Sequence, residues 1–318
     1  MALSVKLRPF FIKSAMFLFL CCLLLFPSTA LSGAKNGLLL WFNQVLPSLL
    51  PFLILSSLFL SSGLSDSLAK RLAPFLSPIF RCSPSGCYAV VIGLLAGLPV
   101  GAKTVASLVE SGRISKKEGQ YLLPLCNNPS PLFLLGFLSS TVLNQPALRY
   151  PLLIIVTGSS ILAAKLLRPR KQSRITGDTI TENSSFPHKS FTFSFLLLDA
   201  AIEQAFSVLT RVGGYIILFS VSASLLAQLP FSPFFLACTG SVLEITTGSV
   251  SLHALLLPPH ISVPLITGFV TFGGFSAAAQ TKSVLAGTKL PFAHYLLTKS
   301  AAGLLAGLLM AGYLHIVP

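Results

Sequence analysis

Long apolar runs alternate with short polar connectors along almost the whole chain, and that alternation predicts a stack of membrane-crossing helices. The runs are Ser14–Leu25, Gly37–Ser62, Tyr88–Val109, Tyr121–Val142, Tyr150–Leu167, Val212–Leu229, Phe231–Leu243, Ile261–Ala279 and Pro291–Tyr313. Together they predict an all-α polytopic membrane protein with about 7–9 transmembrane segments. Two runs are interrupted in mid-course, one at Gly97-Leu98-Pro99 and the next at Asn127-Asn128-Pro129-Ser130-Pro131. In a bilayer core each freed backbone N–H or C=O needs a partner from protein, water or ligand, so both breaks predict unwound backbone lining a cavity. The stretch Gly93–Leu138 that holds them reads as one half of a solute-binding site.

Composition narrows the class. The 318 residues are 53% hydrophobic and 9% charged, with mean hydropathy +0.82, more apolar surface than one soluble core can hide. The net charge of +14 is spread over the ends of apolar runs rather than interleaved with exposed aromatics, which argues for membrane orientation and against nucleic acid. The six cysteines lie within or beside apolar runs without zinc-knuckle spacing, so buried reduced thiols are expected; Cys82 and Cys87, flanking a Ser-Pro-Ser-Gly turn, are the one pair spaced to bridge. No P-loop, zinc-spaced His/Cys cluster or dinucleotide fingerprint is present, so no cofactor or metal is expected, and a coupling proton or sodium ion is left open. The chain is not read as an enzyme; the enzymatic alternative is an intramembrane protease using Ser276 and His294.

Charge then orients the runs. Lys6, Arg8 and Lys13 precede the first run, which resembles a signal peptide but is followed almost at once by another apolar run; residues 1–36 are read as an uncleaved helix with a cytoplasmic N-terminus. Trp41 suits a membrane interface, and Pro47 and Pro51 bend the second run. The stretch from Asp66 to Cys82 reads as an amphipathic helix along the cytoplasmic surface, and Phe191–Gln204 as another that leads into a span at Val212–Leu229. Residues 168–190 form the long polar segment, a cytoplasmic linker between a first repeat at 37–167 and a second at 191–318. If every run before the linker crossed fully, its basic residues would fall outside; making Gly93–Val109 part of a re-entrant hairpin restores parity.

The two halves are weakly similar. An offset of 175 aligns Gly93 with Gly268, Ala102 with Ala277, Val109 with Val284, Gly112 with Gly287 and Leu122 with Leu297. In both copies a glycine-rich break precedes a helix, a Gly turn and another apolar run. Duplicated halves with interrupted helices in matching places point to a transporter's midplane site.

Polar groups inside the runs are few. Glu244, ahead of Thr246, Thr247 and Gly248, is a carboxylate in apolar surroundings, read as an ion-coupling candidate or as a helix cap. Lys103, just after Pro99, either attracts an anion beside helix N-terminal amides or snorkels to headgroups; Lys282 and Lys299 carry the same ambiguity, and Arg211 is read as snorkelling. Asn127 and Asn128 supply amide donors while Pro129 and Pro131 keep the helix open; Ser130 belongs to the same break. Ser276 and Gln280, after Gly273-Gly274, are the matching polar groups of the second half.

These residues carry a family resemblance. Gly97-Leu98-Pro99-Val100-Gly101-Ala102-Lys103, Cys126-Asn127-Asn128, Pro131-Leu132-Phe133 and Gly136 resemble the sporulation integral membrane protein family called YlbJ or SpoVV, as do Leu243-Glu244-Ile245-Thr246-Thr247-Gly248 and Phe272-Gly273-Gly274-Phe275-Ser276 with Gln280. The resemblance runs from about Leu38 to Gly312. It implies a nucleoside-recognition gate domain, kinship with concentrative nucleoside transporters, and a role in endospore formation moving dipicolinate across the outer forespore membrane. The partners implied are a small anionic solute, the bilayer, and a second copy of the chain or other sporulation membrane proteins.

Overall fold

The computed structural model describes residues 2–61, 64–169 and 194–317, so nearly all of the 168–190 linker lies outside the described residues. These residues are helical throughout, without a strand among them. Four helices are long and apolar enough to cross a membrane, or up to six if each of two bent pairs is one span, and Phe133–Val142 and Pro233–Leu243 are shorter apolar helices. On the long helices, Met16, Phe17, Leu24, Ile154, Leu304 and Leu308 are 68–74% exposed, an apolar surface suited to lipid rather than water. The chain is an all-α polytopic membrane protein.

The N-terminal region departs from the expected single helix over 1–36. α1 (Ala2–Leu25) and α2 (Pro27–Leu40) meet at Phe26, with 101° between Lys13–Leu25 and Pro27–Val45. α2 then passes through a π-helical turn, Trp41–Val45, into α3 (Leu46–Ser61), so the boundary expected between residues 36 and 37 falls inside a helix. The reason is its partner. Gly33 and Gly37 let α2 approach α9 (Phe195–Leu226) so closely that a Cβ on either would meet the Ser224 or Ser220 hydroxyl at 2.7 or 2.9 Å. Trp41, expected at an interface, instead donates its indole N–H to Leu209 O at 2.9 Å and packs on Gly213 of α9.

α9 itself corrects the division between Phe191–Gln204 and Val212–Leu229, because one helix, Phe195–Leu226, runs without a break from within the first into the second. Ala201, Ala205, Leu209, Gly213, Ile216 and Ser220 form a continuous buried stripe at three- and four-residue spacing. Asp199, Glu203 and Arg211, which suggested a boundary, sit on its exposed side.

α4 (Leu64–Phe80) meets α5 (Pro84–Ala96) at a bend of 89°, measured between Arg71–Phe80 and Pro84–Ala96. α5, α6 (Val100–Glu110) and α7 (Lys116–Cys126) then fold up, down and up against one another. Glu118 at the start of α7 accepts Ser83 N at 2.7 Å beside the start of α5. At the opposite end, Gly93 and Gly101 lie so near the Cys126 carbonyl that a Cβ on either would collide with it. Cys82 and Cys87 are free thiols with their sulfurs 3.5 Å apart.

A π-helical segment, Phe133–Val142, leads to α8 (Arg149–Leu166). After α9 come α10 (Pro233–Leu243), α11 (Ile245–His253), α12 (Pro259–Phe272), α13 (Gly274–Val284) and α14 (Phe292–Ile316). α5 and α12 begin on Pro84 and Pro259, the offset of 175, and α6 and α7 match α13 and α14 to within one residue at their starts. The copies bend differently. α6 doubles back on α5, whereas α12 and α13 run on as one span, Pro259–Val284.

Candidate functional site

Four interruptions meet in space. At the first, Gly97 has φ +70°, and a Cβ there would meet Ser130 N at 2.6 Å, so glycine alone lets this turn approach the second interruption. The two are joined where Leu98 N donates to Asn128 O at 2.8 Å, which satisfies backbone groups that α5 and α7 leave free. At the third, Gly273 with φ +95° ends α12. Gly274 there lies against the Val242 and Leu243 carbonyls, with 3.3 Å from each to where a Cβ would stand. Glu244, in extended conformation between α10 and α11, is the fourth.

A cavity sits among them. Ser130, Glu244, Thr246, Ser276 and Gln280 are its polar wall, with Leu98, Pro129 and Gly273 from the breaks. Val45, Leu49, Phe133, Val212 and Ile216 close the apolar side. Its volume is about 60 Å³, room for a few waters at roughly 10–15 Å³ each.

Glu244 is 2% exposed, and its carboxylate is fully engaged with its own helix. Oε1 accepts from Thr246 Oγ1 at 2.8 Å, and Oε2 accepts from Thr247 N at 2.7 Å and Thr247 Oγ1 at 3.0 Å. It is therefore the N-cap of α11 and a wall of the cavity at once. Thr247 lines a different hollow, beside Asn36 and Ser220. Ser130 Oγ caps the next segment, accepting Phe133 N at 3.2 Å. Gln280 Nε2 reaches Ser276 Oγ at 3.4 Å, one long bond that leaves most of the amide free. α13 starts on Gly273 with no side-chain cap, and Gly273, Ser276 and Ala277 line the cavity, so the positive end of α13 is turned to it.

Asn127 and Asn128 stand behind this wall rather than in it. Asn127 Nδ2 donates to Thr281 Oγ1 at 2.7 Å and Tyr295 OH at 2.9 Å. Asn128 Nδ2 returns to Leu125 O at 2.7 Å, and its Oδ1 accepts Lys299 Nζ at 2.8 Å. The two amides thus tie the α7 break to α13 and α14 across 154 to 171 residues of sequence. Asn127 Oδ1 is buried without a partner among the described residues. Thr281 and Tyr295 had not been singled out in the sequence; Lys299, within the apolar run Pro291–Tyr313, carried the signal of an ionisable residue at membrane depth.

Lys103 is exposed and borders a second cavity, of about 110 Å³, between α6, α9 and α13. Pro99 borders it too, and Gln280 and Val212 are common to both cavities. Pro131 opens the helical segment after the second break. No group of three His, Cys, Asp or Glu among the described residues is placed to hold a metal.

Fold and site define a polytopic helical membrane protein whose broken helices converge on a small polar cavity. Among known proteins it is similar to the sporulation integral membrane protein YlbJ of Bacillus subtilis (strain 168), 28% identical over 339 residues that cover 92% of this chain and 80% of that protein. No protein-family profile and no solved structure matches the chain.

Proposed function

We propose that this chain is a sporulation-associated membrane transporter of the YlbJ family, which moves a small anionic solute, dipicolinate first among them, across the outer forespore membrane by alternating access. The observation that carries the reading is the convergence of interruptions from both halves on one polar cavity. Unwound backbone is costly at membrane depth, and a scaffold for other sporulation proteins has no use for it. At about 60 Å³ the cavity has room for a few waters rather than for a solute, so a solute is accommodated as the halves part, the motion that alternating access supplies. Ser130, Thr246, Ser276 and Gln280 then supply hydrogen bonds to the solute, and Glu244 is the group through which a proton or ion couples.

A nucleoside, or another neutral solute, is the second reading. It is favoured by one observation: the cavity wall carries a carboxylate and no cation.

Purified protein in liposomes, offered labelled pyridine-2,6-dicarboxylate and labelled nucleosides, separates these readings. Dicarboxylate uptake that falls at least tenfold in Gln280→Ala and Ser276→Ala is the expected result. Movement of neither solute would remove the transporter reading, and movement of nucleosides alone would establish the second. Glu244→Gln is expected to abolish the pH dependence of uptake; an unchanged pH profile excludes its coupling role.

A further inference from the structure

The first cavity offers an anion neutral hydrogen-bond donors beside a carboxylate, and the second offers it cations. Lys103 of α6 and Arg211 of α9 both line the second cavity, and among the described residues no carboxylate does. Around them stand hydrogen-bond donors, Ser207, Tyr215 and Gln204, while the Ser283 hydroxyl already donates to Gln280 O at 2.8 Å. Gln204 is biased toward donation, since its Oε1 is taken by the Ser57 hydroxyl at 2.7 Å and its amide N–H groups remain. α6 begins at this wall on Val100, with Pro99 as a cap that has no side-chain acceptor, so the positive end of the helix adds to the field. Among the described residues Arg211 makes one long contact, 3.5 Å to Ser207 Oγ, and it stands near the middle of α9 rather than at its end.

From this arrangement we infer that the second cavity is the anion-recognition site, where Lys103 and Arg211 take the carboxylate end of the solute. Resting on the reading of an anionic solute, it deepens that reading by assigning the charge to a place. Gln280, shared by both cavities, hands the solute from the cationic pocket to the helix breaks. A dicarboxylate offers one end to the pocket, whose two bases and hydrogen-bond donors suit a carboxylate better than the uncharged groups of a nucleoside. Arginine and lysine at one carboxylate give charge-assisted bonds, each roughly twice as strong as a neutral one.

Binding of pyridine-2,6-dicarboxylate to the full-length protein, measured by titration calorimetry in phosphatidylcholine nanodiscs, tests the assignment without requiring transport. Lys103→Gln and Arg211→Gln should each weaken binding about tenfold, Arg211→Lys should restore part of the loss, and the uncharged diamide should be insensitive to all of them. Gln204→Glu places a carboxylate in the cavity without removing either base and should weaken binding comparably. Absence of dicarboxylate binding to the unmodified protein, or binding unchanged in these variants, overturns the inference. If nanodiscs containing phosphatidylglycerol abolish the binding, the pocket belongs to a lipid phosphate and the solute assignment fails. Transport that persists while binding ignores these charges sinks the pocket alone; binding that obeys them without transport leaves the pocket standing and sinks the transporter.

Discussion

Lys299 is 1% exposed, and among the described residues its Nζ has one hydrogen-bond partner, the neutral Asn128 Oδ1. Removing the acceptor leaves a buried amine with no partner, whereas removing the lysine leaves only a neutral carbonyl unsatisfied. Asn128→Leu, which also strips Leu125 O of its donor, should therefore cost about 3 kcal/mol and Lys299→Met about 1 kcal/mol, with the double variant losing less than their sum. Denaturant unfolding in detergent checks this, and equal, additive losses would show that the pair is not coupled. Glu244 lends itself to a similar comparison. Glu244→Ala removes the cap of α11 and should cost about 1 kcal/mol, while Glu244→Gln keeps an acceptor and costs less. At this scale the sequence singled out Asn127, Asn128 and Glu244 but not the partners that the two asparagines bond. Their partners, Thr281, Tyr295 and Lys299, lie on other helices, and no local spacing reveals them.

Helices were legible where glycine and proline punctuate them. The breaks at Gly97-Leu98-Pro99, at Asn127–Pro131 and at Gly273 all appear, because they follow from backbone chemistry within a few residues. Boundaries inferred from charge were weaker. α9 runs through Glu203 and Arg211 since a buried stripe, not the outer face, decides whether a helix continues. Packing between elements gives a sharp contrast. Gly101→Ala forces a methyl group into the Cys126 carbonyl, main chain that cannot move aside, and should cost 2 kcal/mol or more, roughly the upper range of overpacking. Gly158→Ala, inside α8 with nothing within 4 Å of the new carbon, should raise stability by about 0.5–1 kcal/mol. Thermal unfolding of the two variants should move in opposite directions; a harmless Gly101→Ala would contradict the close approach of α5, α6 and α7.

For the whole molecule, orientation rests on the linker charges. Single cysteines introduced at 168–190, in a chain without its native cysteines, should resist membrane-impermeant maleimide in intact cells and react after permeabilisation. Labelling from outside would overturn the parity argument for the hairpin. α6 folds back on α5, whereas α12 runs on into α13, so the two copies bend differently at matching places. Three residues separate the first pair of helices, and Leu98 N is held by Asn128 O. A single glycine separates the second pair, too short a link to reverse the chain.

The sequence by itself determined the membrane class, the helical content, the places where helices stop and the 175-residue echo, since hydropathy and backbone punctuation act between near neighbours. Tertiary structure alone decided that Ser130, Glu244, Thr246, Ser276 and Gln280 share a cavity, that Asn127 and Asn128 stand behind it, and that Lys103 and Arg211 share a different one. Those pairings depend on which helices lie side by side, and that is fixed by the close contacts at Gly33, Gly93, Gly101 and Gly268 across distant parts of the chain.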